Sequence, residues 1–230
     1  MTPILLVPGL LCTAEVFAPQ IPALWPHGPV TVASTLEGAS MAEIAGNILA
    51  SAPPRFALGG ISMGGYLCFE IMRQAPERVL RLALLDTSAL PDTPEATALR
   101  RQTIAQAESG DFAAVLAAAS TALLHPAHRG NEELVAASVR MGLAVGLDGF
   151  RRQTEAIIAR PDSRPGLADI SVPTLVLVGD ADPFTPPERS REIAAAIPGA
   201  KLVVVPECGH NSTHEQPDVV SRALVEWIAA

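Results

Sequence analysis

Leu58-Gly59-Gly60-Ile61-Ser62-Met63-Gly64-Gly65-Tyr66-Leu67 crowds glycines around one serine, between an apolar run and a helical pattern. Three glycine-rich motifs compete for it. A dinucleotide fingerprint, G-x-G-x-x-G, fails because the third position is Ile61 counting from Gly59 and Ser62 counting from Gly60. A phosphate loop needs Lys and then Ser or Thr after its last glycine; here Gly64 leads to Gly65 and Gly65 to Tyr66. The pattern G-x-S-x-G matches in full at Gly60-Ile61-Ser62-Met63-Gly64, in the strand-to-helix setting that motif requires. Its physics accounts for the missing side chains. A serine on so sharp a turn has a strained backbone, and the residues two before and two after it are forced close together. A Cβ at either place would clash, so Gly60 and Gly64 relieve the crowding. Gly65 lets the helix approach the sheet. The turn also sets the Met63 N–H at a helix N-terminus, aimed where negative charge would develop. The bland alternative, an incidental serine in a glycine-rich turn, does not explain the setting.

Outward from this turn, short apolar runs alternate with helical patterns. Strands are expected at 3–8, 29–35, 55–62, 78–86, 172–180 and 200–206, and their near-continuous Val, Leu and Ile suggest burial on both faces. Helices are expected after Ser40, where Ser40 and Glu43 form a capping box, and over 63–75, 186–197 and 217–230, the last with Pro217 at its first position. This alternation predicts an α/β fold with a mostly parallel central sheet and helices on both faces. Residues 91–165 break it. They open with "LPDTPE" and then read as Ala-rich helices near 95–109, 111–124, 131–145 and 148–160. The expected organisation is therefore a core of 1–90 and 166–230 with a helical insertion at 91–165.

The 230 residues are 49% hydrophobic and 17% charged, enough for a large core, and the net charge of −8 offers no basic patch for nucleic acid. Cys12, Cys68 and Cys208 are odd in number and widely spaced, so neither a disulfide framework nor a metal site is expected. No run is long enough to span a membrane, and "MTPILLVPGLL" lacks a basic leader segment. A cytoplasmic protein is the expectation, with no cofactor.

A serine hydroxyl needs a base. Among five histidines, His27 sits in a surface turn and His125 and His128 in the helical insertion. His210 follows the last strand, on the same carboxyl edge as Ser62, and is favoured over His214 four residues on. An orienting carboxylate should lie on that edge too. Asp182, further into the loop after the fifth strand, is favoured, with Asp180 as the alternative.

Together these stretches resemble the α/β-hydrolase superfamily. "GISMGG" resembles its nucleophile elbow, "GDADPFTP" its acid loop and "CGHNSTHEQPD" its closing Gly-His segment, in the order Ser, Asp, His. The resemblance covers nearly the whole chain. It implies a catalytic Ser62, Asp182 and His210, a helical cap at 91–165, and a sheet of about six strands lacking the family's N-terminal strand pair. The family's first loop normally reads His-Gly-x; here it is Pro8-Gly9-Leu10. The resemblance then assigns the oxyanion-binding N–H groups to Met63 and Leu10, with Leu11 possible, and leaves the role of the absent histidine to be filled otherwise.

The expected activity is hydrolysis of a small carboxylic ester through an acyl-enzyme, with thioesters, lactones or C–C bonds as alternatives on the same residues. A slow or non-catalytic small-molecule receptor is the alternative of a different class. Cys12 as nucleophile is disfavoured, since it has neither elbow nor nearby base. The apolar cap and "GLLCTAEVF" suggest a greasy pocket for a small apolar substrate, with no charged cluster to recognise a charged one.

Overall fold

A computed structural model describes residues 1–230. Six strands form one parallel sheet: β1 (Ile4–Val7), β2 (Val30–Val32), β3 (Phe56–Ile61), β4 (Val79–Leu85), β5 (Thr174–Gly179) and β6 (Lys201–Val205), in the order β2-β1-β3-β4-β5-β6. The central strands β1, β3 and β5 are buried along their whole length, while the edge strands β2 and β6 are partly exposed. This is the pattern a two-sided sheet imposes on its sequence.

Alternate residues feed two cores, as the pleat requires. Leu5, Val7, Leu58, Leu82 and Leu84 face α2 (Met41–Ser51), α3 (Met63–Gln74) and α7 (Pro187–Ala196). Ile4, Leu6, Ala57, Ala83 and Leu85 face the other way, against Phe17, Leu24 of α1 (Ile21–Leu24) and α9 (Pro217–Ala229). The start of α2 follows its sequence signal with one adjustment. Ser40 Oγ accepts from Glu43 N–H at 3.2 Å, but the Glu43 carboxylate reaches one residue further back, to Ala39 N–H at 2.7 Å.

Between β4 and β5 the chain leaves the sheet for α4 (Pro94–Ser109), α5 (Phe112–Leu123) and α6 (Glu132–Ile158). The separate helices that the sequence suggests at 131–145 and 148–160 are present as two helical segments of α6 that meet at a kink, where Gly146 leaves helical geometry at φ +75°. Glycine takes this positive φ at little cost, so the chain passes from the first helical segment to the second, in a new direction, through a single residue. This lets α6 straddle the sheet's upper rim. Met141 joins the core on one face of the sheet, and Ala156 and Ile157 join the core on the other. No helix is long and apolar enough to cross a membrane.

The strand order places a crevice. From β1 the chain moves outward to β2, then returns past β1 to β3 and continues in the other direction. Loops leaving β1 and β3 therefore part at their carboxyl ends, where ligands bind in open parallel sheets. Gly9-Leu10 and Ser62 are the residues at that point.

Candidate active site

Four non-glycine residues have left-handed backbone: Leu11 (φ +60°), Ser62 (+55°), Asp86 (+44°) and Glu207 (+51°). Each lies just beyond a strand's carboxyl end, after β1, β3, β4 and β6 respectively. Each such residue costs about 1–3 kcal/mol, and the surrounding structure must hold it in place. At Ser62 the restraints are explicit. Its N–H donates to Leu85 O at 2.9 Å, and its carbonyl accepts from Gly65 N–H at 2.9 Å and Thr87 Oγ1 at 2.8 Å. The glycines are needed for space. A Cβ on Gly60 would lie 2.4 Å from Gly64 O, and one on Gly64 2.0 Å from Val7 O.

Ser62 caps the start of α3, leaving its side chain free of helix-capping duty. His210 Nε2 lies 2.9 Å from Ser62 Oγ, and His210 Nδ1 lies 2.7 Å from Asp182 Oδ2. Three loops from β3, β5 and β6 thus converge in one hydrogen-bonded chain. Asp182 is fixed by its own turn: Oδ1 accepts from Phe184 N–H at 2.8 Å and Thr185 N–H at 2.9 Å, while Thr185 Oγ1 donates to Oδ2 at 2.7 Å.

The alternatives weighed from sequence are occupied elsewhere. Asp180 Oδ1 accepts from Cys208 N–H at 3.0 Å and so closes the β6 loop. His214 Nε2 lies 2.9 Å from Glu15 O, tying α8 (Ser212–Glu215) to the segment after β1. Burial pushes the Cys12 thiol up to about 12, against a smaller opposing effect of its hydrogen bond to Gly9, so Cys12 is no thiolate. Leu11 N–H donates to Gln153 Oε1 at 3.0 Å. Of the two candidate donors in that loop, this leaves Leu10.

Two features were not visible in the sequence. Arg100 and Arg160 converge on the buried Asp92, at 2.7 and 2.5 Å. The Arg100 guanidinium stacks 5.2 Å from the Phe184 ring, whose edge meets His210 with centroids 5.6 Å apart. A paired, largely buried ion cluster therefore lies behind Phe184, one ring removed from His210. The second feature is Glu215, whose carboxylate accepts from Gly209 and Asn211 N–H groups on either side of His210, and from His125 N–H. It ties the loop bearing the imidazole to the chain that follows α5.

Burial disfavours charge on both His210 and Asp182, but their mutual attraction and hydrogen bond outweigh it. His210 is held above its ordinary value and Asp182 below. Asp86 differs. Burial first, then the Asp182 charge, push it from 3.8 up to about 8. Its Oδ1 accepts from Gly179 N–H at 3.0 Å, and its Oδ2 is hydrogen-bonded to Ser212 Oγ. Between the unfolded and folded values the folded chain keeps a proton that the unfolded chain has released, so stability falls as pH rises across that window. Asp86→Asn mimics the protonated acid. Its unfolding free energy relative to wild type is expected to rise by about 2–4 kcal/mol between pH 5 and 8. Denaturant titrations at the two pH values test this; a pH-independent difference would mean that Asp86 is already ionised at pH 5.

The profile of the alpha/beta hydrolase fold family matches residues 38–217. Among solved structures, a thermophilic esterase from Thermogutta terrifontis, in a malate-bound form, superposes with a TM-score of 0.89 at 31% identity, over 100% of this chain and 90% of that one. The enol-lactonase from Burkholderia xenovorans LB400 superposes with a TM-score of 0.87 at 25% identity, over 100% of this chain and 92% of that one. A Mycobacterium tuberculosis protein provisionally named a non-heme bromoperoxidase is 27% identical over 180 residues, 74% of this chain and 67% of its own length. The six-stranded parallel sheet and these matches agree, and the chain belongs to the alpha/beta hydrolase fold family.

Proposed function

We propose that the protein hydrolyses a small carboxylic ester, cyclic or open, through an acyl-enzyme on Ser62. The observation that carries this reading is the unbroken chain Ser62 Oγ–His210 Nε2, 2.9 Å, and His210 Nδ1–Asp182 Oδ2, 2.7 Å, at a strained strand-to-helix turn. His210 accepts the Ser62 proton as Oγ attacks the carbonyl carbon. The carbonyl electron pair moves onto oxygen, where the N–H groups of Met63 and Leu10 stabilise it. As the tetrahedral intermediate collapses, the C–O bond to the leaving alcohol breaks and His210 returns the proton to that oxygen. Water, deprotonated by His210, then attacks the acyl-enzyme and releases the acid and Ser62. Asp182 holds the imidazole with its proton on Nδ1 and balances its transient positive charge. In this reading α4–α6, within 91–165, form a cap over the core of 1–90 and 166–230. Relatives named as an esterase and an enol-lactonase support ester chemistry.

The test is covalent labelling with a fluorophosphonate, followed by a panel of p-nitrophenyl esters and lactones. The wild type is expected to be labelled at Ser62 and to turn over short esters, and Ser62→Ala to lose the label. A label that persists in Ser62→Ala would remove the site assignment. A label at Ser62 without turnover of any ester or lactone would remove the ester hydrolase.

A further inference from the structure

Gln153, from α6, is 1% exposed, yet it hydrogen-bonds to neither Ser62 nor His210. Its amide spans two loops at the sheet's carboxyl edge. Oε1 accepts from Leu11 N–H at 3.0 Å, and Nε2 donates to Thr35 O at 3.2 Å and Thr35 Oγ1 at 3.0 Å. A buried amide meets this many partners only when the site is built around it.

The segment it holds is a tight turn, Gly9-Leu10-Leu11-Cys12, closed by Cys12 N–H to Gly9 O at 3.2 Å. Leu11, third in the turn, has φ +60°. A turn with positive φ at that position normally carries glycine or asparagine; a leucine there opposes the geometry. A flip of the peptide between Leu10 and Leu11 would relieve the strain. Both ends of that peptide are held: Cys12 Sγ–H donates to Leu10 O at 3.4 Å, and Leu11 N–H donates to Gln153. The side chains of Leu10 and Leu11 also pack against the small apolar cluster of Ile104, Ala107 and Phe150, contributed by α4 and α6.

We infer that Gln153 is a positioning residue that holds the turn after β1 in its strained form, so that the Leu10 N–H faces the oxyanion formed at Ser62. This rests on the proposed hydrolase reading. It also supplies an occupant for the role left open by the absent histidine of the first loop: an amide from the helical insertion, across the crevice, restrains what a side chain within the loop does not. The oxyanion geometry on β1 therefore depends on how α6 is seated.

The test uses Gln153→Met, which keeps the side chain's length and apolar stem but cannot accept from Leu11 as an amide does. On a p-nitrophenyl ester its kcat is expected to fall about 10- to 100-fold, short of the 10²–10³ typical for losing an oxyanion donor outright, with KM nearly unchanged. A trifluoromethyl ketone supplies the second readout. Ser62 Oγ adds to its carbonyl carbon, the Ser62 proton passes to His210, and the resulting oxyanion occupies the hole. Its affinity is expected to fall by the same factor as kcat/KM. Adding Leu11→Gly, which takes positive φ freely, is expected to restore most of both losses. Should Gln153→Met not fold, Thr35→Val removes one partner of the Gln153 amide and is expected to show the same signature, a few-fold in size.

Unchanged kcat and ketone affinity, or losses that Leu11→Gly leaves in place, would overturn the role of Gln153. Fluorophosphonate labelling and ester turnover by the wild type report on the hydrolase reading separately. A wild type that labels and turns over beside an unaffected Gln153→Met removes only this inference.

Discussion

Truncating either Ser62 or His210 to alanine is expected to lower kcat by roughly 10⁴- to 10⁶-fold, and truncating both to cost little more than truncating one. In the proposed mechanism the two groups act as a unit. Without the imidazole 2.9 Å away, the hydroxyl keeps its proton and remains a weak nucleophile. Without the hydroxyl, the imidazole has nothing to activate except water, held at no fixed place. Residual rate then comes from the donors of Met63 and Leu10, which none of these substitutions removes. His214→Ala is the matched control. Its Nε2 is engaged with Glu15 O at 2.9 Å, so its loss is expected to change kcat no more than a few-fold. Single-turnover and steady-state rates on one p-nitrophenyl ester, with thermal unfolding to verify that each variant folds, decide the matter. Losses for Ser62 and His210 that multiply in the double variant would show independent action and sink the proposed pairing.

Ser62 was legible because everything that makes its turn is local. Glycines two residues to either side, an apolar strand before and a helix after all fall within ten residues. The sheet was legible for a related reason: strands buried on both faces have no polar positions to spare, so their composition marks them. The carboxylate was harder. Asp180 and Asp182 both follow β5, and spacing alone does not separate them. What separates them is the turn through Phe184 and Thr185, whose two N–H groups converge on Asp182 Oδ1, while Asp180 is taken by Cys208 N–H. Gln153 left no trace at all, since its partners lie 142 and 118 residues away in sequence. The meeting of Arg160 with Asp92, 68 residues earlier, was hidden for the same reason. The break at Gly146 was legible because it is local: a glycine between two helical patterns marks where one stops and the next starts, and its φ of +75° separates the segment that carries Met141 into one core from the segment that carries Ile157 into the other.

Asp182→Asn is expected to lower kcat/KM about 10⁴-fold while leaving the fold intact. The replacement amide has a definite orientation. The Oδ1 position faces the N–H groups of Phe184 and Thr185, at 2.8 and 2.9 Å, so the amide oxygen must stay there and the NH₂ must turn to His210. His210 Nδ1 can then only accept, which moves the ring proton to Nε2. That nitrogen now donates towards Ser62 Oγ and cannot remove its proton. The pH profile carries the same signature. In the wild type, burial lowers the His210 value but Asp182 more than reverses it, so the acid limb of kcat/KM should lie above the ordinary histidine range. Below that limb His210 is protonated and inactive as a base. Without the Asp182 charge, the largest effect opposing burial is gone and only the smaller ones of Asp86 and Glu215 remain, so the acid limb of the residual activity is expected to move to lower pH. Asp180→Asn should leave both rate and profile close to wild type, because its carboxylate serves only the Cys208 amide. An Asp182→Asn enzyme with near-normal kcat/KM, or with its acid limb unmoved, would show that the carboxylate neither orients nor charges the imidazole.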